Sequence, residues 1–200
     1  MQYNNEYKNT YIDINECTSR GACSISPTIS ALQELAIQIL QNLSHYILQL
    51  EEMGANNNNI KYEIITVLAS LISVNEFSDK QLYEIILKEY YMLTNSKKAY
   101  NELCSAKNII PKDLRKIIKI NNSTSISQAI ALGEKIFFEK YKKLTAEQKN
   151  LMTLLLIVIK STSLNMVKLS DFKVFEEDTY HKILTILDTF NHYKVSSKKI

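Results

Sequence analysis

Two cysteines, Cys17 and Cys23, flank Thr-Ser-Arg-Gly-Ala just ahead of a stretch with helical periodicity. Closely spaced thiolates on an irregular loop are what iron–sulfur clusters take, usually four to a cubane. Gly21 permits a tight backbone approach, and Arg20 supplies positive charge against the thiolates. The amides of a nearby helix N-terminus would add to that field. Two cysteines make half of such a site, so free thiols or a redox disulfide remain open readings of the same pair. Cys17 and Cys23 are the candidate metal and cofactor ligands; no residue is assigned a catalytic role.

The other chemically able residues point elsewhere. Cys104, beside Leu103, reads as a small buried side chain rather than a ligand. His45, His181 and His192 fall on separate helical stretches without a HExxH, His-x-x-His or Glu-x-x-His pair, which gives a helix-borne zinc or di-iron site little support. His45 and His181 are expected to edge the core. The pairs Tyr90–Tyr91 and Phe137–Phe138 read as packing. No GxxxxGK[ST], GxGxxG or GxSxG occurs, which removes the commonest nucleotide and hydrolase signals.

Composition narrows the classes further. A formal charge of +3, with lysines interleaved among glutamates, describes an ordinary solvated face and no nucleic-acid partner. The first residues, MQYNNEYKNTYIDINEC, are polar and hold no signal peptide. The apolar run Leu154–Ile159, preceded by Leu151 and Met152, is shorter than the roughly 20 residues a bilayer needs. It reads as a helix buried on most sides, and no membrane partner is expected. Three cysteines without a secretion signal point to a reducing, cytoplasmic setting.

The elements that must position these residues are helical. With 3 Gly and 2 Pro in 200 residues and 46% hydrophobic content, the chain lacks the turns of a β-sandwich or a doubly wound sheet and can bury a sizeable core. Residues 1–27 form an irregular cysteine-bearing arm without helical periodicity. A first helix, capped at Thr28 or Ser30, carries Leu32, Leu35, Ile39, Leu40, Leu43, Ile47 and Leu50 inward and ends at Gly54. A second carries Ile60, Ile64, Val67 and Leu68; a third opens with the capping box Ser78–Gln81. Pro111 is expected to open a helical turn. A fourth helix runs from about Ser127 to Leu144 with Ala131, Leu132, Ile136 and Phe137 inward. Thr145 and Gln148 box the start of a fifth, and a sixth covers about 177–193. Shifting the sequence by 119 residues lays the first helix pair on the last without a gap: Leu32 on Leu151, Leu35 on Leu154, Leu40 on Ile159, Ile64 on Ile183 and Leu68 on Leu187. Agreement through two helices and their loop implies an internal repeat. The expected fold is all-α, with two related three-helix bundles at 28–120 and 121–200 following the arm.

Cys23, the run Leu32-Gln33-Glu34-Leu35 and Gly54 are where the chain resembles a known family. It is similar to the N-terminal helical domain of the hybrid-cluster proteins, the hydroxylamine reductases, which are relatives of nickel carbon monoxide dehydrogenases. Lys160, Asp178, Tyr180, His181, Lys182 and Ile183 carry a second match. The resemblance implies two three-helix bundles and an iron–sulfur cluster, cubane or two-iron, near the N-terminus. Cys23 matches the last of four ligand positions and Cys17 roughly the third, while the leading Cys-x-x-Cys is absent from residues 1–16. The catalytic hybrid-cluster domains have no counterpart, so hydroxylamine reduction is not implied. The resulting expectation is a redox or iron–sulfur accessory protein of anaerobic type, with enzymatic activity left open and the absent catalytic domains weighing against it. Its cluster is shared through Cys17 and Cys23 of two chains, or it serves a redox partner protein. The alternative is a helical scaffold that has lost the cofactor.

Overall fold

The computed structural model describes residues 26–72, 77–114, 117–121, 123–142, 144–169 and 177–192. Among the described residues there are six helices and no strand: α1 Pro27–Glu52, α2 Asn58–Ser70, α3 Asp79–Ala106, α4 Ile126–Tyr141, α5 Ala146–Leu169 and α6 Glu177–His192. The fold class is all-α, as the turn-poor, 3.6-periodic sequence implies. Cys17 and Cys23 lie outside the described residues.

Local chemistry sets the helix ends. Ser26 caps α1, its hydroxyl accepting from the Ile29 amide, and Pro27 stands at the first helical position, where a missing N–H costs nothing. This corrects the expected cap at Thr28 or Ser30; the Thr28 hydroxyl instead donates to Asp79 at 3.2 Å. α1 stops at Gly54, whose φ of +87° favours glycine. The Gly54 amide donates to the Glu51 carbonyl and the Ala55 amide to that of Leu50, the paired bonds of a Schellman ending. α3 ends the same way around Asn108, with the Ile109 amide donating to the Cys104 carbonyl. The boxes Ser78–Gln81 and Thr145–Gln148 are both formed. So is Ser125–Gln128, which starts α4 at Ile126 rather than at the expected Ser127.

Helix α1 is the axis of the molecule. Leu32, Leu35, Ile39, Leu40, Leu43 and Ile47 are fully buried, and the helix is enclosed by α3, α4 and α6. α3 runs parallel to it: Thr28 meets Asp79 near one end, and the Tyr46 and Tyr100 rings lie 5.8 Å apart farther on. α6 runs antiparallel, since Asn42 meets Asn191, His45 meets Asp188 and Glu51 meets His181 in that order. α4 approaches so closely that a Cβ on Gly133 would stand 2.0 Å from the Ala31 carbonyl oxygen. The buried positions of α4 are Ala129, Gly133, Phe137 and Tyr141, while Ala131 is exposed, contrary to expectation. Pro111 opens no helical turn: residues 109–114 are irregular, with the Lys112 amide bound to the Tyr100 hydroxyl at 2.8 Å.

The starts of α1 and α5, and of α2 and α6, are each 119 residues apart. The same shift carries the packing of α1 on α6 into that of α5 on α2, and both packings are present. Burial follows the register only in part. Leu40 and Ile159 are both buried, as are Ile64 with Ile183 and Leu68 with Leu187. Leu151, Leu154 and Val158, opposite buried Leu32, Leu35 and Ile39, are exposed. Among the described residues, no element covers on α5 the face that α3 and α4 cover on α1. The expectation that the 154–159 run is buried on most sides is therefore wrong: Leu154 and Ile157 are 57% and 56% exposed. α5 is also long and apolar enough to cross a bilayer by length and composition, since the helix continues well past the short run.

Candidate functional site

The described residues gather three metal-capable side chains where α1 and α6 cross: His45, Asp188 and His192. His45 projects from the middle of α1 and is almost fully buried. Asp188 and His192 stand one turn apart on the last stretch of α6, and their nearest atoms, Oδ1 and Nε2, are 3.4 Å apart. The His45 Nδ1 is 3.1 Å from the same carboxylate oxygen.

An outer layer fixes this trio. The Lys112 carbonyl lies 2.7 Å from the His45 Nε2, and a carbonyl only accepts, so Nε2 carries a proton. Lys112 is itself held through its amide by Tyr100. Beside it the Tyr46 hydroxyl donates to Asp113 at 3.0 Å, and burial together with that carboxylate pushes the phenol well above its usual range. Across the site the Asn191 amide donates to the Asp188 Oδ1 at 3.1 Å and to the Gln41 carbonyl at 2.7 Å, and its oxygen accepts from Asn42 at 2.9 Å. The Asp188 side chain is therefore aimed before any ligand arrives.

The electrostatics are those of a proton-sharing pair. Burial pulls the His45 pKa down, but the Asp188 hydrogen bond, the Lys112 carbonyl and the nearby carboxylates outweigh it and raise it above the usual value. For Asp188 burial pushes upward, yet His45, Asn191 and His192 hold it below the usual carboxylate range. By themselves His45 and Asp188 are a hydrogen-bonded histidine–carboxylate pair. With a cation in place, the same Nδ1 lone pair, carboxylate and His192 Nε2 are available as ligands.

The sequence-based candidates fare differently. Cys17 and Cys23 lie outside the described residues. Cys104 is fully buried on α3, as expected of a packing cysteine. His45 edges the core, whereas His181 does not: its side chain is 60% exposed, 3.7 Å from Glu51. Phe137 is buried but Phe138 and Tyr91 are exposed, so only part of each aromatic pair packs. No paired-histidine motif marks the trio in the sequence, because its i,i+4 pair is Asp188–His192 and its third member lies 143 positions away from Asp188.

Part of the chain is similar to hydroxylamine reductases. It is 39% identical to that of Clostridium novyi over 62 residues, 31% of this chain and 11% of the relative. It is 26% identical to that of Thermosipho melanesiensis over 91 residues, 46% of this chain and 16% of the relative. The chain thus spans less than a fifth of the curated relatives it matches. No family model matches the chain, and no solved structure does.

Proposed function

We propose that the chain is a hybrid-cluster-like helical domain working as a non-catalytic iron–sulfur accessory protein, with one cluster shared between two chains. The observation that carries this reading is the partial likeness to two hydroxylamine reductases. Cys17 and Cys23 give two thiolates per chain, and a cubane takes four. Cys104 is enclosed in the core and cannot complete the set. A twofold dimer supplies the missing pair, because each ligand then appears twice around the axis. Purification without oxygen, followed by iron and sulfide analysis, tests the reading. The expected result is one cluster per two chains, visible absorption, and loss of both in Cys17→Ser or Cys23→Ser. Colourless, iron-free protein after reconstitution would overturn it.

A second reading, an interaction scaffold without cofactor, is favoured by the bare apolar face of α5 formed by Leu151, Leu154 and Val158. Under it the cysteine variants keep the oligomeric state and melting temperature of the parent, and a shift in either counts against it.

A further inference from the structure

We propose that His45, Asp188 and His192 form a binding site for one divalent first-row transition-metal ion, of the Zn2+ kind, that clamps the middle of α1 to the end of α6. Four ligands about 2.0–2.1 Å from zinc in a tetrahedron stand about 3.3 Å apart. Here the Asp188 oxygen lies 3.1 Å from one histidine nitrogen and 3.4 Å from the other, and all three donor atoms fall within 4.8 Å of one another. The longer of these separations is beyond good hydrogen-bond length for a nitrogen and a carboxylate oxygen but ordinary for two ligands of one ion.

The surroundings fit the same ion. A metal-bound histidine characteristically donates its other ring N–H to a carbonyl or carboxylate, which fixes the ring and its tautomer. Lys112 does this for His45, leaving Nδ1 turned toward Asp188. Asn191 orients the carboxylate, and its own amide is tied to the Gln41 carbonyl. The His45 and His192 rings are 5.4 Å apart and tilted by 56°, converging on the carboxylate without stacking face to face. Among the described residues, both ion-pair partners of Asp188 are histidines, so no lysine or arginine occupies the cation's place. Two imidazoles and one carboxylate suit a borderline divalent ion, with the fourth position left for water or a small anion on the exposed His192 side.

The clamp uses none of the cysteines as ligands, and its test is made so that either proposal can fail alone. The full chain carrying Cys17→Ser and Cys23→Ser is stripped with chelator and titrated with Co2+, then with Zn2+ as competitor. One Co2+ per chain, with the intense visible bands of a tetrahedral site and displacement by Zn2+, is the expected result. Zn2+ at a hundredfold excess over its dissociation constant should raise the melting temperature by about 5–10 °C. His192→Ala alters a half-exposed side chain, so the variant should fold and melt like the parent without metal while losing the Co2+ bands and the Zn2+ shift. Asn191→Ala, one layer out, should weaken Co2+ binding about tenfold or more. Absence of one-to-one Co2+ binding, or bands and melting shift unchanged in His192→Ala, would show the trio to be an ion pair only and overturn the proposal.

Discussion

Glu89 stands in the buried stripe of α3 between Ile86 and Leu93, and neither of its carboxylate oxygens has a hydrogen-bond partner among the described residues. Burial, and then the charge of Glu63, raises its pKa well above that of a free carboxyl, while Lys88 opposes weakly. The folded chain therefore binds a proton that the unfolded chain releases. Glu89 does not weaken the fold below the unfolded pKa; as pH rises from there toward the folded value, stability falls by up to about 1.4 kcal/mol per unit. Glu89→Gln removes that slope. Urea unfolding at pH 5, 6 and 7 should show the variant gaining on the parent as pH rises, and parallel curves would contradict this account. His45 is the opposite case at this scale: a buried polar group whose bonds are made, by Lys112 and Asp188.

The helices owe their ends to the sequence and their faces to one another. Ser78–Gln81 and Thr145–Gln148 were legible because a capping box is a bond between near neighbours, as was Gly54, whose φ the helix ending requires. Which side of α5 is covered was not legible: its apolar residues resemble those of α1, and only the placement of α3 and α4 separates them. The His45–Asp188–His192 trio was hidden for the same reason, since the antiparallel seating of α6 on α1 creates it. Gly133 illustrates what close seating demands. In an exposed helix Gly→Ala gains up to about 1 kcal/mol. Here the added methyl would lie 2.0 Å from backbone oxygen, so α4 must withdraw from α1. Gly133→Ala should destabilise by about 1–3 kcal/mol, read as a lower denaturant midpoint, and a higher midpoint would show that α4 withdraws from α1 without cost.

Across the whole molecule one helix, α1, is shared by partners from nearly the full length of the chain: α3, α4 and α6 all pack on it. Contacts so distant in sequence make closure slow, because chain entropy is lost before they form. During translation this becomes a matter of time. α1 is complete at residue 52, but the last helix that covers it ends at residue 192, about 140 residues later. At about 5–20 residues per second the ribosome leaves that apolar axis incompletely covered for roughly 7–28 s. The hazard of this architecture thus falls on the nascent chain, and a holdase chaperone would find its target in Leu32–Leu50 rather than in the finished surface. A chain ending at residue 169, which lacks Ile183, Leu184 and Leu187, should bind a hydrophobic dye and be cleaved within α1 by protease. The 200-residue chain should resist that cleavage and bind less dye, at the bare face of α5 alone, and a truncated chain as resistant as the whole would mean that α1 is secured before α6 is made.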